Sequence, residues 1–162
     1  MLRARYAAAI AMLASSTASA DDAPAFTIGS QPTWVLLGGV TAGATVAPGD
    51  RGALVGGEVS FARLRDASFI GVYGDGYYDW GAHGTYTTAG IEAGHSFLGL
   101  DAGLALRFAG DGTDVGTAAR LTVGLGMVGL YGRFVHFWEG STDENVVQVG
   151  LVVKLPLWAE GN

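Results

Sequence analysis

GLDAGLALRFAG, residues Gly99 to Gly110, is the stretch whose reading decides the fold. With a side-chain period of two, Gly99, Asp101, Gly103, Ala105 and Arg107 share one face, and Leu100, Ala102, Leu104, Leu106 and Phe108 share the other. One face is uniformly apolar, while the other is small or charged. The same division recurs along the chain. Leu121, Val123 and Leu125 oppose Ala118, Arg120 and Thr122; Val147, Val149, Leu151 and Val153 oppose Gln148, Gly150, Val152 and Lys154. Val55, Val59 and Phe61 oppose Glu58 and Ser60, and Ala89, Ile91 and Ala93 oppose Thr88, Gly90 and Glu92. Three runs resist orientation: Trp34–Val46 carries no charge, Phe69–Trp80 is mixed, and Arg133 shares parity with the apolar Tyr131, Val135 and Phe137.

Turn-forming residues cut the chain into eight such runs, namely Trp34–Val46, Ala53–Arg63, Phe69–Trp80, Thr85–His95, Phe97–Ala109, Val115–Gly126, Val128–Trp138 and Val146–Trp158. An even number of alternating runs with no helical segment predicts an all-β fold, an eight-stranded antiparallel up-and-down transmembrane β-barrel over residues 34–158. Ahead of it, MLRARYAAAIAMLASSTASA has two arginines, an apolar run and a closing Ala18-Ser19-Ala20, the layout of a cleaved secretory signal peptide over residues 1–20. Residues 21–33 then form a short N-terminal lead and 159–162 a C-terminal tail.

Composition agrees with export to a membrane. Charged residues are 15% of the chain against about 25% in ordinary soluble domains, and there are 27 glycines and no cysteine. Loss of Arg3 and Arg5 with the signal leaves 7 basic residues against 15 acids, which argues against a nucleic-acid partner. No run approaches the roughly 18 apolar residues of a membrane helix.

Two barrels share this alternation: a membrane barrel with a polar lumen, and a soluble lipocalin-like binder of an apolar ligand with the faces exchanged. Side-chain size favours the first, because the charged face is otherwise Gly, Ala, Ser and Thr, as a narrow eight-stranded lumen requires. Glu58, Glu92, Asp101, Arg107, Arg120, Arg133, Gln148 and Lys154 are therefore expected to form a charge network inside, paired because unpaired buried ions cost several kcal/mol each. That inventory predicts a plugged lumen, with a narrow ion or small-solute channel as the alternative. Rings near strand ends predict two aromatic girdles: Trp34, Phe69, Phe97, Tyr131 and Trp158 at the periplasmic rim, and Tyr77, Tyr78, Trp80, Tyr86, Phe108, Phe137 and Trp138 at the outer rim.

In this architecture, from Trp34 to Trp158, the chain resembles the small eight-stranded outer-membrane barrels of Gram-negative bacteria, the OmpA-type and OmpX-type group. The closing QVGLVVKL, Gln148–Leu155, resembles the C-terminal signal read by the barrel-assembly machinery, although a leucine stands at its last position and AEGN follows Trp158. The resemblance implies an outer-membrane protein whose partners are outer-membrane lipid and, during biogenesis, that machinery. A monomer is expected, with a structural or membrane-integrity role and porin-like architecture. The candidate outer loops are short, and Asp50, Asp111, Asp114, Asp143 and Glu144 read as solvated turn residues.

Some eight-stranded outer-membrane barrels modify lipid A, which makes a lipid A-modifying enzyme a further alternative; the deacylase family among them has a histidine and a serine two residues apart. No H-x-S occurs here, and adjacent residues of a strand point to opposite faces, so His95 and Ser96, beside a periplasmic turn, do not easily hydrogen-bond unless the turn begins there. No catalytic residue, metal ligand set or cofactor is expected, and the two Gly-Asp-Gly triplets, 74–76 and 110–112, read as turns or bends.

Overall fold

The computed structural model describes residues 32–46, 51–110, 112–125, 127–139 and 144–160. The signal-peptide reading, most of the lead, and Asp50, Asp111 and Asp143 lie outside the described residues.

Within them the chain forms eight strands: β1 (Thr33–Val46), β2 (Arg51–Arg65), β3 (Ser68–Asp79), β4 (Gly84–His95), β5 (Leu98–Ala109), β6 (Gly112–Leu125), β7 (Val128–Glu139) and β8 (Glu144–Ala159). Each pairs antiparallel with its sequence neighbours, and β1 pairs with β8 to close the barrel. Closure leaves no unpaired strand edge. The closing seam has one irregularity, between Leu36 and Leu37, where Leu37 faces Pro156. A proline has no ladder donor, so it fits where the pairing is already interrupted.

The two ends of the barrel differ. At the end where β1 starts and β8 finishes, the terminal end, Asp66-Ala67 joins β2 to β3 and Ser96-Phe97 joins β4 to β5. Asp66 (φ 52°) and Ser96 (φ 56°) take the left-handed conformation with which two-residue hairpins match the twist of their strands. At the opposite end, residues 80–83 link β3 to β4, with His83 also left-handed.

The alternation seen in the sequence sorts the two faces of the wall. Ile70, Ile91 and Leu130 point outward at 64, 66 and 63% exposure, whereas Glu92, Arg120 and Gln148 point inward at 1% or less. The apolar face is thus outside, the reverse of the lipocalin-like arrangement. Arg133 orients β7, carrying Tyr131, Val135 and Phe137 into the lumen with it; on β3, Tyr73, Asp75, Tyr77 and Asp79 point inward and Ile70, Val72 and Tyr78 outward.

Candidate functional site: a layered lumen

The lumen has three layers. The middle one is ionic. On β6, Arg120 donates from Nε to Asp101 of β5 and from Nη1 to Glu58 of β2, with Asp75 of β3 at 3.7 Å. Arg133 of β7 donates from Nη2 to Asp75, whose other oxygen accepts from the Thr88 hydroxyl at 2.6 Å and the Thr88 N–H at 3.2 Å. Lys154 of β8 reaches Glu58, Glu92 of β4 at 2.9 Å and the Ser60 hydroxyl at 3.1 Å. Every strand but β1 contributes a side chain to this web. Tyrosine faces complete it: the Arg120 guanidinium lies 5.3 Å from the Tyr73 ring, and that of Arg133 lies 4.8 Å from Tyr77. Ions in such a site are tenable because nearly all their donors and acceptors are engaged.

Towards the opposite end the lumen holds an apolar, largely aromatic layer. Leu54, Tyr77, Tyr86, Ala105, Ala118, Val135, Phe137 and Val146 form one buried cluster. Tyr77 and Tyr86 stack at 5.0 Å, and Phe137 lies 6.0 Å from Tyr86. Arg107 caps this layer, 4.7 Å from the Phe137 ring and paired through Nε with Asp114 at 2.7 Å. Beside it Asp79 accepts from the Thr45 hydroxyl and from the N–H groups of Gly81 (2.8 Å) and Ala82 (3.3 Å).

Towards the terminal end the lumen opens into a cavity of about 460 Å³. Leu37, Leu64, Phe69 and Val152 line its walls; Glu92, Asp101 and Lys154 form its floor.

Of the residues expected in the lumen network, Glu58, Glu92, Asp101, Arg120, Arg133 and Lys154 are brought together. Arg107 pairs instead with Asp114, and the fully buried Gln148 amide lies beside Tyr77, with no partner in hydrogen-bonding geometry among the described residues. The sequence reading missed Asp75, which sits within β3 between two glycines and belongs to no turn. Asp114, assigned there to the solvated rim, turns inward to Arg107 with its side chain 21% exposed. Both signals were present as parity, since Asp75 alternates with Tyr73 and Tyr77, and Asp114 with Gly116 and Ala118.

The girdles need a larger correction. Trp34, Phe97 and Trp158 face outward near the terminal end, and Tyr78, Trp80, Phe108 and Trp138 near the opposite end. Tyr77, Tyr86, Tyr131 and Phe137 are instead 1–4% exposed inside the lumen. Phe69 lines the terminal cavity, its ring covering Gly94 and Gly99. All five share parity with inward residues, and nearness to a strand end does not determine the face a ring occupies.

His95 contacts Ser68 rather than Ser96: its Nδ1 lies 2.8 Å from the Ser68 hydroxyl across the β3–β4 ladder, at the exposed terminal end. His136 points outward, with Nδ1 3.0 Å from the Asn145 side-chain oxygen.

No family model matches the chain, and no curated protein is significantly similar to it. Among solved structures it is similar to the crystal structure of Neisserial surface protein A, with 15% identity and a TM-score of 0.39 over 77% of this chain and 99% of that one.

Proposed function

We propose that this protein is an outer-membrane barrel with a structural, membrane-integrity role, its lumen closed to solutes. The observation that carries this reading is the inverted wall: a closed eight-stranded barrel turns its Val, Ile, Leu and Phe outward and keeps its ions within. Soluble monomers rarely expose contiguous apolar patches beyond a few hundred Å², whereas lipid requires such a surface. Outward rings near both ends suit the two membrane interfaces, and the two-residue turns at the terminal end suit the periplasmic side. The mechanism is physical. Lipid holds the apolar belt, the closed ladder satisfies the backbone within the hydrocarbon, and the ionic layer braces the wall from inside. Outer-membrane lipid is its partner, with the barrel-assembly machinery acting during biogenesis.

The test is expression of the full-length chain in a Gram-negative host, followed by membrane fractionation and detergent electrophoresis with and without boiling. Recovery in the outer membrane with a heat-dependent change in mobility is the expected result. A protein free in the periplasm with no heat shift would refute the reading.

A further inference from the structure

The terminal cavity has walls and floor of opposite character. Its volume, about 460 Å³, lies within the roughly 300–1,000 Å³ typical of small-molecule sites. The walls are aliphatic and aromatic, and the floor is ionic but unevenly satisfied. Lys154 has three ammonium protons and three acceptors in reach: Glu58, Glu92 and Ser60. It has no donor to spare for an anion. Glu92 is in the opposite position. The residue is 1% exposed, Oε2 is engaged by Lys154 and the Ser60 hydroxyl, and Oε1 is buried with no hydrogen-bond partner among the described residues. A buried carboxylate oxygen left unpaired carries a desolvation cost that a donor would relieve. The surrounding charge has the same sign: Glu58, Asp75, Glu92 and Asp101 face only Arg120, Arg133 and Lys154 in this layer of the described residues.

We propose that the terminal cavity binds a small amphiphile, its alkyl body held between Leu37, Leu64, Phe69 and Val152 and its ammonium head on the acidic floor beside Glu92. The site lies within the barrel and does not depend on what surrounds the outer wall, so it can be tested separately from the membrane reading. Access is from the terminal end, because the aromatic cluster closes the other.

The experiment uses methyl-labelled protein, in lipid nanodiscs if it is recovered from membranes and in buffer if it is not. It is titrated with n-octylammonium and, separately, with octanoate, and followed by NMR. With octylammonium the Leu64 and Val152 methyls are expected to shift saturably, while Leu104 on the outer wall shifts only in proportion to probe added. Octanoate is expected to give no saturable shift. Glu92→Gln is expected to raise the half-saturating concentration at least tenfold. Leu64→Trp, which fills the cavity without touching the charges, is expected to abolish saturation and covers the case in which Glu92→Gln does not fold. The proposal is overturned by non-saturable shifts with octylammonium, by octanoate binding as well as the amine, or by unchanged affinity in Glu92→Gln. It is also overturned if saturation appears only in a chain lacking residues 22–31, since the cavity's occupant would then be the chain's own lead.

Discussion

Arg120 is the side chain on which the charge balance of the lumen depends. It is 1% exposed and serves Asp101 and Glu58 at once, so Arg120→Ala leaves the buried Asp101 without its ion-pair partner and Glu58 with Lys154 alone. Breaking a buried pair by removing one partner costs about 3–5 kcal/mol, and a loss of that size is expected in urea unfolding of the refolded protein. Arg120→Lys is expected to recover only part of it, because an ammonium cannot reproduce the planar fork that meets two acids. Arg107→Ala, in a pair whose side chains remain 15% and 21% exposed, is expected to cost less than half as much in the same assay. The need for pairing could be read from the sequence, since several charges fall on a face otherwise made of small residues. The partners could not, because which acid meets which base depends on the offset of strands across the lumen, and local spacing carries no record of that offset.

At the scale of the strand, small residues set how closely the backbones approach. Gly43 and Gly150 face each other across the β1–β8 seam, and a Cβ on Gly150 would lie 2.4 Å from the Ala42 carbonyl oxygen and 2.8 Å from the Tyr131 hydroxyl. Gly90 and Gly103 repeat the arrangement between β4 and β5, with the Ala102 carbonyl oxygen 2.0 Å from an added Cβ on Gly90. Backbone contacts of this kind cannot be relieved by a rotamer change. Gly150→Ala is therefore expected to destabilise the barrel by about 1–3 kcal/mol, the usual range for overpacking, seen as a lower denaturant midpoint; an unchanged midpoint would mean that the seam can open to admit the methyl. Strand existence and order were the most legible part of the sequence, since turn residues bound each run and charge parity orients five of them. The failures fall on β3, β4 and β7, where aromatic rings are inward. A tyrosine ring over a guanidinium is as suitable inside this lumen as at a lipid interface, so its residue type does not tell the two apart.

Over the whole molecule, two successive layers cross the lumen, the ionic one around Arg120 and the aromatic cluster around Phe137, and the proposed closed lumen rests on both. Wild-type protein in a planar bilayer is therefore expected to be electrically silent. Phe137→Ala and Arg120→Ala alone are each expected to remain silent, because the other level still blocks the path. The double variant is expected to pass current. Steady conductance in the wild type would mean that water threads the packed layers, and the narrow-channel alternative would replace the closed one.

The seam between β1 and β8 is the only ladder of the ring that is not a hairpin, and it joins segments separated by nearly the whole length of the barrel sequence. The hairpin ladders need only local loop closure. This last one must bring together the two ends of the assembly, and until it does β1 and β8 both present bare backbone to any strand that passes. β8 therefore acts as a latch. A chain halted before it is made is a curved ribbon with two adhesive edges, and the step from that ribbon to the sealed barrel is where a neighbouring copy competes most directly with the chain's own first strand.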